Sequence, residues 1–563
     1  MSEDLEFVFL PLGGAGEIGM NLNLYGFDGQ WLMVDLGIGF ADETLPGIDI
    51  VMPDIAFIEA QKDRLAGLVL THAHEDHLGA VAHLWERLKC PVYATPFAAA
   101  MLRTKLVEAG LLDRVPLHVV KHGDTLALGP FTVTYIGITH SIPEGSSLTI
   151  ETAAGTVLHT GDWKLDPEPL VGKATDKAAL LRAGADGVLA LVCDSTNVFN
   201  PGSSGSEATV RESLMALCAD RPGRIVITTF ASNVARIATI AAVAAGTGRA
   251  LAVVGRSLHR TITAAQSCGY LADLPPILGG DEAGYLPRDK VLLVCTGCQG
   301  EPRAAMSRIA EGEHQHVSLD ASDVVIFSSK IIPGNERPIG RMCNLLSRDG
   351  IEVLTEHDHM VHVSGHPGRE ELAQYYDWAR PQIAIPVHGE ARHLAEHAQF
   401  ARDRGVPQAI VVENGAVVRL APGPAGIVDH VPSGRLALDG RVLIDIDHDS
   451  IRERRRLMHH GQVAVTVVFD VAGKVSGPPI VNAHGLASGT GEGIAHDLAA
   501  EVARALSSLT GEGRRDNSAV EQAARRAINR LVRATTGKRP LIDVNVVRMD
   551  QNAVRGAAQK VAS

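Results

Sequence analysis

Three histidines and two acidic residues fall within six positions of this chain, from His72 to His77, in the run THAHEDHLG. The apolar segment 65–70 leads straight into the run and predicts a buried strand. The run therefore follows a strand end, the usual place for a functional site in an α/β sheet. Neutral imidazole and carboxylate are ligands that suit Zn²⁺ and related metals. The alternative, a polar loop with surplus histidines, would not need this spacing, so the pattern favours a metal site.

The spacing within the run predicts two metal positions rather than one. His72 and His74 can converge on one ion, whereas Asp76 and His77 point elsewhere and can serve a second. Each of three further candidate ligands lies just past an apolar strand; these are His140, Asp162 and His388. A lone histidine at a strand end is usually structural. Three sites that repeat this placement favour a shared function at one sheet edge.

The order of these seven residues resembles the metal-binding pattern of the metallo-β-lactamase fold, in its β-CASP branch of nucleic-acid-processing enzymes. Asp35, at the end of another apolar strand, resembles the first motif of that fold. Over roughly residues 5–420 the chain also resembles the bacterial ribonuclease J family. The strings that carry this resemblance are LGGAGEIG at 12–19, DSTN at 194–197, FASN at 230–233, VGRS at 254–257, GCQGEP at 297–302, SSKIIPGNE at 328–336 and HVSGH at 362–366.

The resemblance implies a dinuclear site bridged by Asp162. It assigns His72, His74 and His140 to one metal, and Asp76, His77 and His388 to the other. Two Zn²⁺ ions per subunit are the expected cofactors, with Mn²⁺ or Mg²⁺ as alternatives in activity. Two ions about 3.5–4 Å apart can activate a water and stabilise the attacking and leaving oxygens of a phosphodiester. A structural Ca²⁺ near residues 47–49 is a further option that the sequence leaves open.

The resemblance also implies roles in proton transfer and RNA binding. Asp76 would orient the attacking water or take its proton, and His366 would be the general acid for the leaving 3′-oxygen. Asp194 would orient His366, so we expect these two distant residues to be in contact. Backbone N–H groups and a hydroxyl would hold the 5′-phosphate and the RNA; the residues assigned to these contacts are Ala231, Ser232, Asn233, His362, Val363, Ser364, Gly365 and His366. The residues Pro367 to Arg369 depart from the family's pattern, and Arg369 is an alternative charged contact.

The strand and helix pattern predicts an α/β fold: a metallo-β-lactamase αββα sandwich, an inserted β-CASP α/β domain and a small α+β C-terminal domain. A strand at 351–354 is expected to return the chain from the insertion to the first domain. The predicted boundaries are 1–205 and 351–425 for the two parts of the sandwich, 206–350 for the insertion, 426–455 for a linker and 456–563 for the C-terminal domain.

The string GAGEIG at 14–19 matches the GxGxxG fingerprint of dinucleotide-binding proteins, but its context differs. Residues 21–25 alternate like a strand, and residues 27–29 predict a hairpin turn toward a second strand at 31–35. An antiparallel hairpin cannot supply a helix N-terminus for a pyrophosphate. We therefore expect the glycines to allow tight packing beside the metal ligands.

Length and composition set further limits. The 563 residues predict three or four domains of about 150 residues. No apolar stretch reaches the ~18 residues of a membrane span, and the acidic N-terminus does not resemble a secretory signal. Seven scattered cysteines favour a reducing cytoplasm. The net charge is -13, yet residues 451–563 carry +7, a basic tail that either contacts nucleic acid or forms solvated helix faces.

These observations predict a cytoplasmic, metal-dependent ribonuclease that acts as a 5′→3′ exonuclease and as an endonuclease in mRNA decay and rRNA maturation. Its expected partners are RNA with 5′-monophosphate ends and further copies of itself, in a homodimer or homotetramer, with no membrane. One alternative is a β-CASP DNA nuclease or a small-ester hydrolase of the same fold. Another is a catalytically dead RNA-binding scaffold, which the complete set of seven ligands disfavours.

Overall fold

A computed structural model of the chain describes residues 6–487 and 493–549. The chain forms two compact units, one of Met1–Gly39 with Val51–Arg435 and one of Phe40–Ile50 with Leu436–Ser563. The larger unit contains three large sheets, and the smaller contains a three-stranded sheet. This arrangement agrees with the predicted α/β fold class, in which a two-sheet sandwich carries an inserted α/β domain.

Two mixed sheets pack face to face in the larger unit and share one apolar core, to which both contribute aromatic and branched side chains. The first sheet has the order Gly426–His430, Ala416–Ala421, Phe7–Gly13, Leu22–Phe27, Gln30–Val34, Leu65–Val69, Val92–Ala94 and Leu117–Val119. The second has the order Thr125–Leu128, Phe131–Gly137, Ser146–Thr152, Gly155–His159, Ala190–Asp194, Ile383–Val387 and Gln408–Ala409.

Helices belong to the outer layers of this sandwich. The helices that pack on the second sheet are Lys177–Asp186, Arg369–Ala379 and Ala391–Asp403. Helices associated with the first sheet are Ala56–Glu59, Glu75–Leu78, Val81–Leu88 and Pro96–Ala109. The parallel neighbours Ala190–Asp194 and Ile383–Val387 are buried at every residue because sheet covers one face and helices cover the other. Their sequences are accordingly continuous apolar runs rather than alternating patterns.

The predicted N-terminal hairpin is confirmed. Strands Leu22–Phe27 and Gln30–Val34 pair antiparallel, so no helix follows the GxGxxG string. Gly14 and Gly19 both have positive φ, and a Cβ at Gly19 would lie 3.4 Å from the Cβ of Asp76. A Cβ at the nearby Gly37 would lie only 1.7 Å from the carbonyl oxygen of Asp76. Glycines in this region therefore let the backbone approach the metal-ligand run closely, as the sequence predicts.

The third sheet of the larger unit belongs to the insertion, and all its strands are parallel. Its order is Ile277–Leu278, Ala250–Val254, Val291–Cys295, Ile225–Thr228, Val324–Phe327 and Glu352–Leu354. Helices pack on both faces, in two separate apolar clusters. These helices are Glu207–Cys218, Val234–Gly246, Arg256–Ser267, Gly280–Tyr285, Ala305–Ala310 and Glu336–Arg348.

The last strand of this sheet corrects the sequence prediction. The stretch 351–354 was expected to return the chain to the sandwich, but Glu352–Leu354 pairs parallel with Val324–Phe327 inside the insertion. A short apolar pattern shows that a strand forms but not which sheet it joins. The chain re-enters the second sheet of the sandwich only at Ile383–Val387.

The stretch 426–455, predicted as a linker, contains regular structure. Gly426–His430 pairs antiparallel with Ala416–Ala421, so the Pro- and Gly-rich residues 421–424, just before the predicted linker, form a tight connection between two strands. A second hairpin joins Arg435–Asp439 to Val442–Asp445, and the helix Asp449–His460 follows. Proline and glycine punctuate hairpins as well as linkers, which is why composition alone was misleading here.

The smaller unit has a sheet with the order Ile480–His484, Gln462–Phe469 and Leu541–Arg548. The helices Ile494–Ser507 and Asn517–Thr536 pack on one face of this sheet and bury its apolar residues. The remaining strands of the chain are short: Ala15–Gly16, Gly39–Phe40, Ile50–Pro53 and Gly389–Glu390. Among the described residues, no helix combines the length and hydrophobicity needed to cross a bilayer. All seven cysteines are free thiols.

Candidate metal centre

The candidate ligands lie at the ends of strands from both sheets of the sandwich. The run 72–77 follows Leu65–Val69 of the first sheet, and its second half forms the short helix Glu75–Leu78. The other candidates follow strands of the second sheet: His140 after Phe131–Gly137, Asp162 after Gly155–His159 and His388 after Ile383–Val387. The fold brings all seven predicted ligands together, in two groups that share Asp162.

The first group consists of His72, His74, His140 and Asp162. The Nε2 atoms of His72 and His140 each lie 3.0 Å from Nδ1 of His74, and each lies 4.0 Å from Oδ2 of Asp162. Burial lowers the pKa of His72 and of His140 well below the usual value and lowers that of His74 to about 4. The three rings are therefore neutral at physiological pH, which is the form that binds a metal ion.

The second group consists of Asp76, His77, His388 and Asp162. Nε2 of His77 lies 3.1 Å from Oδ2 of Asp162 and 3.7 Å from Oδ2 of Asp76, and Nε2 of His388 lies 3.7 Å from that same Asp76 oxygen. Burial alone would lower the pKa of His77, but Asp162, Asp76 and Asp35 together raise it well above the usual value. The position thus favours a positive charge, as a divalent cation would provide.

Asp162 is the residue common to both groups. Its side chain is 3% exposed, and Oδ1 lies 3.4 Å from the Nδ1 atom of His388. Burial would raise the pKa of this carboxyl group, but His388 and His77 lower it well below its usual value. Asp162 is therefore a buried carboxylate among imidazoles, a donor set that suits divalent cations such as Zn²⁺.

Hydrogen bonds from neighbouring groups select which ring nitrogen faces the centre. Asp35, with φ of +63°, accepts hydrogen bonds from the backbone N–H and the hydroxyl of Thr71, both at 2.8 Å, and from Nδ1 of His77 at 2.7 Å. Nδ1 of His72 lies 3.0 Å from the Thr71 hydroxyl. Nδ1 of His140 donates to the carbonyl oxygen of Gly365 at 2.6 Å. In each case Nε2 faces other candidate ligands and is the ring nitrogen available to bind a metal ion.

Asn21 is a contact that sequence reasoning missed. Its buried carboxamide lies between the rings of the second group, with Nδ2 3.0 Å from Nε2 of His77 and Oδ1 3.0 Å from Nδ1 of His388. Nδ2 also donates to the backbone carbonyl of Asp76 at 3.1 Å. The available signal was a polar side chain just before the strand Leu22–Phe27, two residues after the glycine-rich string.

The predicted contact between Asp194 and His366 is present. Nδ1 of His366 donates to Oδ2 of Asp194 at 2.7 Å, and the other carboxylate oxygen accepts the backbone N–H of Thr196 at 2.8 Å. The His366 ring lies beside the centre, with its centroid 5.3 Å from that of His140 and 5.5 Å from that of His388. Burial would lower the pKa of His366, but Asp194 and then Asp162 raise it to about 9.

Two side chains outside the predicted set hold the loop 362–366 in place. Asn197 donates from Nδ2 to the hydroxyl of Ser364 at 2.7 Å and to the carbonyl of His366 at 3.0 Å. Arg236, fully buried, donates from Nη1 to the carbonyl of Val361 at 2.9 Å. A buried ion pair with Glu207, 3.0 Å between Nη2 and Oε1, compensates the guanidinium charge. Asn197 lies in the string DSTN, but both residues are distant in sequence from the loop, so the sequence did not predict these contacts.

The structure distinguishes between the predicted RNA-binding residues. Ala231 and Ser232 are partly exposed beyond the strand Ile225–Thr228. Asn233 is buried, and its Oδ1 caps the helix Val234–Gly246 by accepting the backbone N–H of Arg236 at 2.9 Å. The Asn233 side chain is therefore committed to the fold, and a substrate contact at this residue stays a prediction that involves its backbone. Val363 is also buried, so only its backbone could meet a ligand.

His362 has the features of an anion contact. Its buried Nδ1 has no hydrogen-bond partner among the described residues. Burial lowers its pKa well below the usual value, and the positive charges of Arg236, Lys330 and Lys164 lower it further. An unpartnered ring nitrogen near three cations is suited to a phosphate oxygen.

Arg369, the alternative charged contact, instead pairs with Glu396 at 2.8 Å. In the described part of the chain, no group of three metal-binding side chains includes Asp49, so the Ca²⁺ site stays a prediction.

Comparison with known proteins finds family matches along most of the chain. Residues 21–221 match the metallo-beta-lactamase superfamily, 222–346 the ribonuclease J beta-CASP domain, 350–411 the Zn-dependent metallo-hydrolase RNA specificity domain and 449–549 the ribonuclease J C-terminal domain. The chain is 45% identical over 555 residues to ribonuclease J of Sinorhizobium meliloti, covering 98% of each chain. It is 38% identical over 544 residues to ribonuclease J of Mycolicibacterium smegmatis, covering 96% of each chain.

Replacement of Asp35 with Asn should weaken metal binding by about 10- to 100-fold, because His77 loses the carboxylate that orients its ring. Competition with a chromophoric chelator measures the metal affinity of the folded protein directly. The Asp28→Asn variant is the matched control, since Asp28 also has positive φ but lies exposed in a hairpin turn. Equal metal affinity in the Asp35→Asn variant and the wild type would contradict the orienting role.

Proposed function

Because the chain belongs to the ribonuclease J family, and so is a metal-dependent hydrolase of the nuclease class, we propose that it cleaves RNA phosphodiesters at a dinuclear centre. Its sandwich is a metallo-β-lactamase domain, its insertion a β-CASP domain and its last residues a ribonuclease J C-terminal domain. The observation that carries the proposal is the shared position of Asp162 between two groups of ligands. Two Zn²⁺ ions are the proposed occupants, with Mn²⁺ or Mg²⁺ as alternatives.

The proposed chemistry divides proton transfer between two side chains. Bound cations would polarise a water and neutralise charge on the phosphate. Asp76 has a side chain that is 30% exposed, so its carboxylate can orient the attacking water and accept its proton. His366 holds its Nδ1 proton against Asp194, which leaves Nε2–H to protonate the leaving 3′-oxygen. The negative charge of Asp194 keeps the ring in its acidic, protonated form.

The proposed substrate is RNA with a 5′-monophosphate. Ser232 and His362 lie at the strand ends of the insertion and in the loop beside the centre, and Lys330 contributes positive charge nearby. A terminal phosphate held there would favour 5′→3′ exonuclease action, whereas a longer chain passing through would be cut internally. We propose both actions, in mRNA decay and rRNA maturation. A cytoplasmic location is supported by the seven free cysteines.

Self-association as a homodimer or homotetramer is proposed through the C-terminal domain. Its helices cover one face of the three-stranded sheet. Ile480, on an edge strand, is 61% exposed, and Val547, on the other edge strand, is 46% exposed. Open strand edges with exposed apolar side chains are a recurrent means of pairing two chains.

The substrate proposal predicts selective cleavage of one oligonucleotide sequence prepared in three forms. The 5′-monophosphate RNA should be cleaved fastest and the 5′-triphosphate RNA more slowly, and the DNA should resist cleavage because it lacks the 2′-hydroxyl. Electrophoresis of products with Zn²⁺, Mn²⁺ and Mg²⁺ measures the rates and separates end from internal cleavage. DNA cleaved as fast as RNA would refute the proposed substrate.

The general-acid proposal predicts a specific pH effect. His366→Ala should slow cleavage by about 10²-fold or more. Asp194→Asn should move the alkaline limb of the rate profile to lower pH. The substitution removes the negative charge beside His366 and so lowers its pKa, although Asp162 still acts on the ring. Rate profiles from pH 6 to about 10 check both effects.

The exposed His357 provides the control for these substitutions, and His357→Ala should leave the rate profile unchanged. An unshifted alkaline limb in the Asp194→Asn variant would remove His366 from the role of acid. If Asp194→Asn instead lowers the rate by the same factor at every pH, the substitution has only a structural effect. His366 then also loses the role of acid.

The self-association proposal predicts that Ile480→Lys combined with Val547→Lys lowers the molar mass in solution, because charges at the strand edges oppose pairing. Light scattering at several concentrations measures the mass. Tyr285→Lys is the control, since Tyr285 is an exposed apolar residue of the insertion, at 91%. An unchanged mass in the double variant would place the interface elsewhere.

A further inference from the structure

A cavity of about 480 Å³ opens at the carboxyl ends of the parallel strands Ala250–Val254 and Val291–Cys295 in the insertion. Its lining is strongly basic. The charged or titratable side chains that line it are Arg256, Arg260, Arg303, Arg308 and His314, and we call this set the arginine pocket. In the part of the chain that the structure describes, no Asp or Glu lines it.

Strand connectivity explains why a crevice forms here. From Ala250–Val254 the chain runs outward to Ile277–Leu278 at the edge of the sheet. From the adjacent Val291–Cys295 it runs in the opposite direction, past Ile225–Thr228, to Val324–Phe327. Neighbouring parallel strands whose connections leave in opposite directions form a switch point, and ligands of open α/β sheets bind in the crevice outside it.

Two of the arginines are free to bind an anion. Arg260 pairs with Glu108, and Nη2 of Arg308 lies 3.4 Å from the carbonyl oxygen of Glu313. Arg256 and Arg303 are exposed and make no ion pair with any described residue. Guanidinium groups bind phosphate through two parallel hydrogen bonds, so an uncompensated cluster of them fits a phosphate group rather than an apolar ligand.

Backbone geometry adds further donors to the pocket. The helix Arg256–Ser267 begins at the pocket without a side-chain cap on its first N–H groups. Gly255 has φ of +137°, and a Cβ there would lie 2.6 Å from Cγ2 of Thr296, so only glycine allows this approach of the two strand ends. Nδ1 of His314 accepts the backbone N–H of Val317 at 3.1 Å, which leaves its Nε2–H as a donor.

The arginine pocket lies on the same edge of the sheet as the loop 362–366. Ser328 follows the strand Val324–Phe327, and its hydroxyl donates to the carbonyl of Val361 at 2.7 Å. Two to three strand spacings, each about 4.8 Å, separate this strand end from the pocket, or about 10–15 Å. A single RNA chain can span such a distance, whereas a mononucleotide in the metal centre cannot.

We propose that the arginine pocket binds a backbone phosphate of the RNA substrate, several nucleotides from the bond that is cleaved. This inference rests on the proposed function, because it assumes an RNA chain in the metal centre. The pocket lengthens the stretch of RNA that the enzyme holds, and it favours long substrates over short ones.

The test compares kcat/KM of the metal-loaded protein on 5′-monophosphate RNAs of 4 and 16 nucleotides. Arg256→Ala and Arg303→Ala should each lower kcat/KM on the long RNA by about 3- to 10-fold and leave the short RNA unchanged. Each variant should also reduce the slope of log kcat/KM against log salt concentration by about 0.7 on the long RNA. Arg337→Ala, an exposed arginine on another helix of the insertion, is the matched control.

The outcomes separate this proposal from the proposed function. A wild-type protein that cleaves neither RNA defeats the proposed function itself. If the wild type cleaves both, equal losses on the long and short RNAs, or no loss on either, overturn the pocket proposal. A third result also overturns it: inorganic phosphate or AMP stabilises the wild type but not the arginine variants against heat, while cleavage of the long RNA stays unchanged. The pocket would then bind a free phosphate compound.

Discussion

The buried carboxylate of Asp162 is the constraint on which the rest of the structure depends. An ionised carboxylate removed from water costs several kcal/mol unless opposite charge and hydrogen bonds compensate it. Here Nε2 of His77 lies 3.1 Å from the carboxylate and Nδ1 of His388 3.4 Å, and His72, His140 and His366 lie 4.0 Å away. These imidazoles compensate the charge only in part, because burial lowers the pKa of His72 and His140. The proposed pair of divalent cations would complete this compensation, so the folded core and the proposed chemistry would depend on the same ions.

The two-sheet sandwich supplies the rigidity that such a centre needs. The ligands come from strand ends of both sheets, and the shared apolar core fixes the distance between those ends. Outer groups then determine ring orientation: Asp35 and Thr71 for the run 72–77, and the carbonyl of Gly365 for His140. The carbonyl of Gly365 belongs to the loop 362–366, which also carries His366. One backbone segment therefore orients a proposed metal ligand and presents the proposed acid.

The inserted domain is the proposed means of binding RNA beyond the metal centre. The carboxyl ends of its parallel strands lie along one edge, and the loops there carry Ser232, Ser328 and the arginine pocket. The buried pair of Arg236 and Glu207 ties this edge to the loop 362–366 through the carbonyl of Val361. Binding of a phosphate chain along the edge can thus be aligned with the position of His366. This arrangement distinguishes the molecule from a sandwich that acts on small esters.

The sequence by itself determined which residue types could bind metal, because the HxHxDH spacing and strand-end placement are local features. It also determined that the glycine-rich string precedes a hairpin, since alternation of apolar residues is visible over five positions. It did not determine which sheet receives Glu352–Leu354, that residues 426–455 are structured, or that the Asn233 side chain caps a helix. Those outcomes depend on contacts between residues distant along the chain. Only the tertiary structure decided that Asn21, Asn197 and Arg236 hold the site, because burial and hydrogen-bond partners are properties of the packed chain.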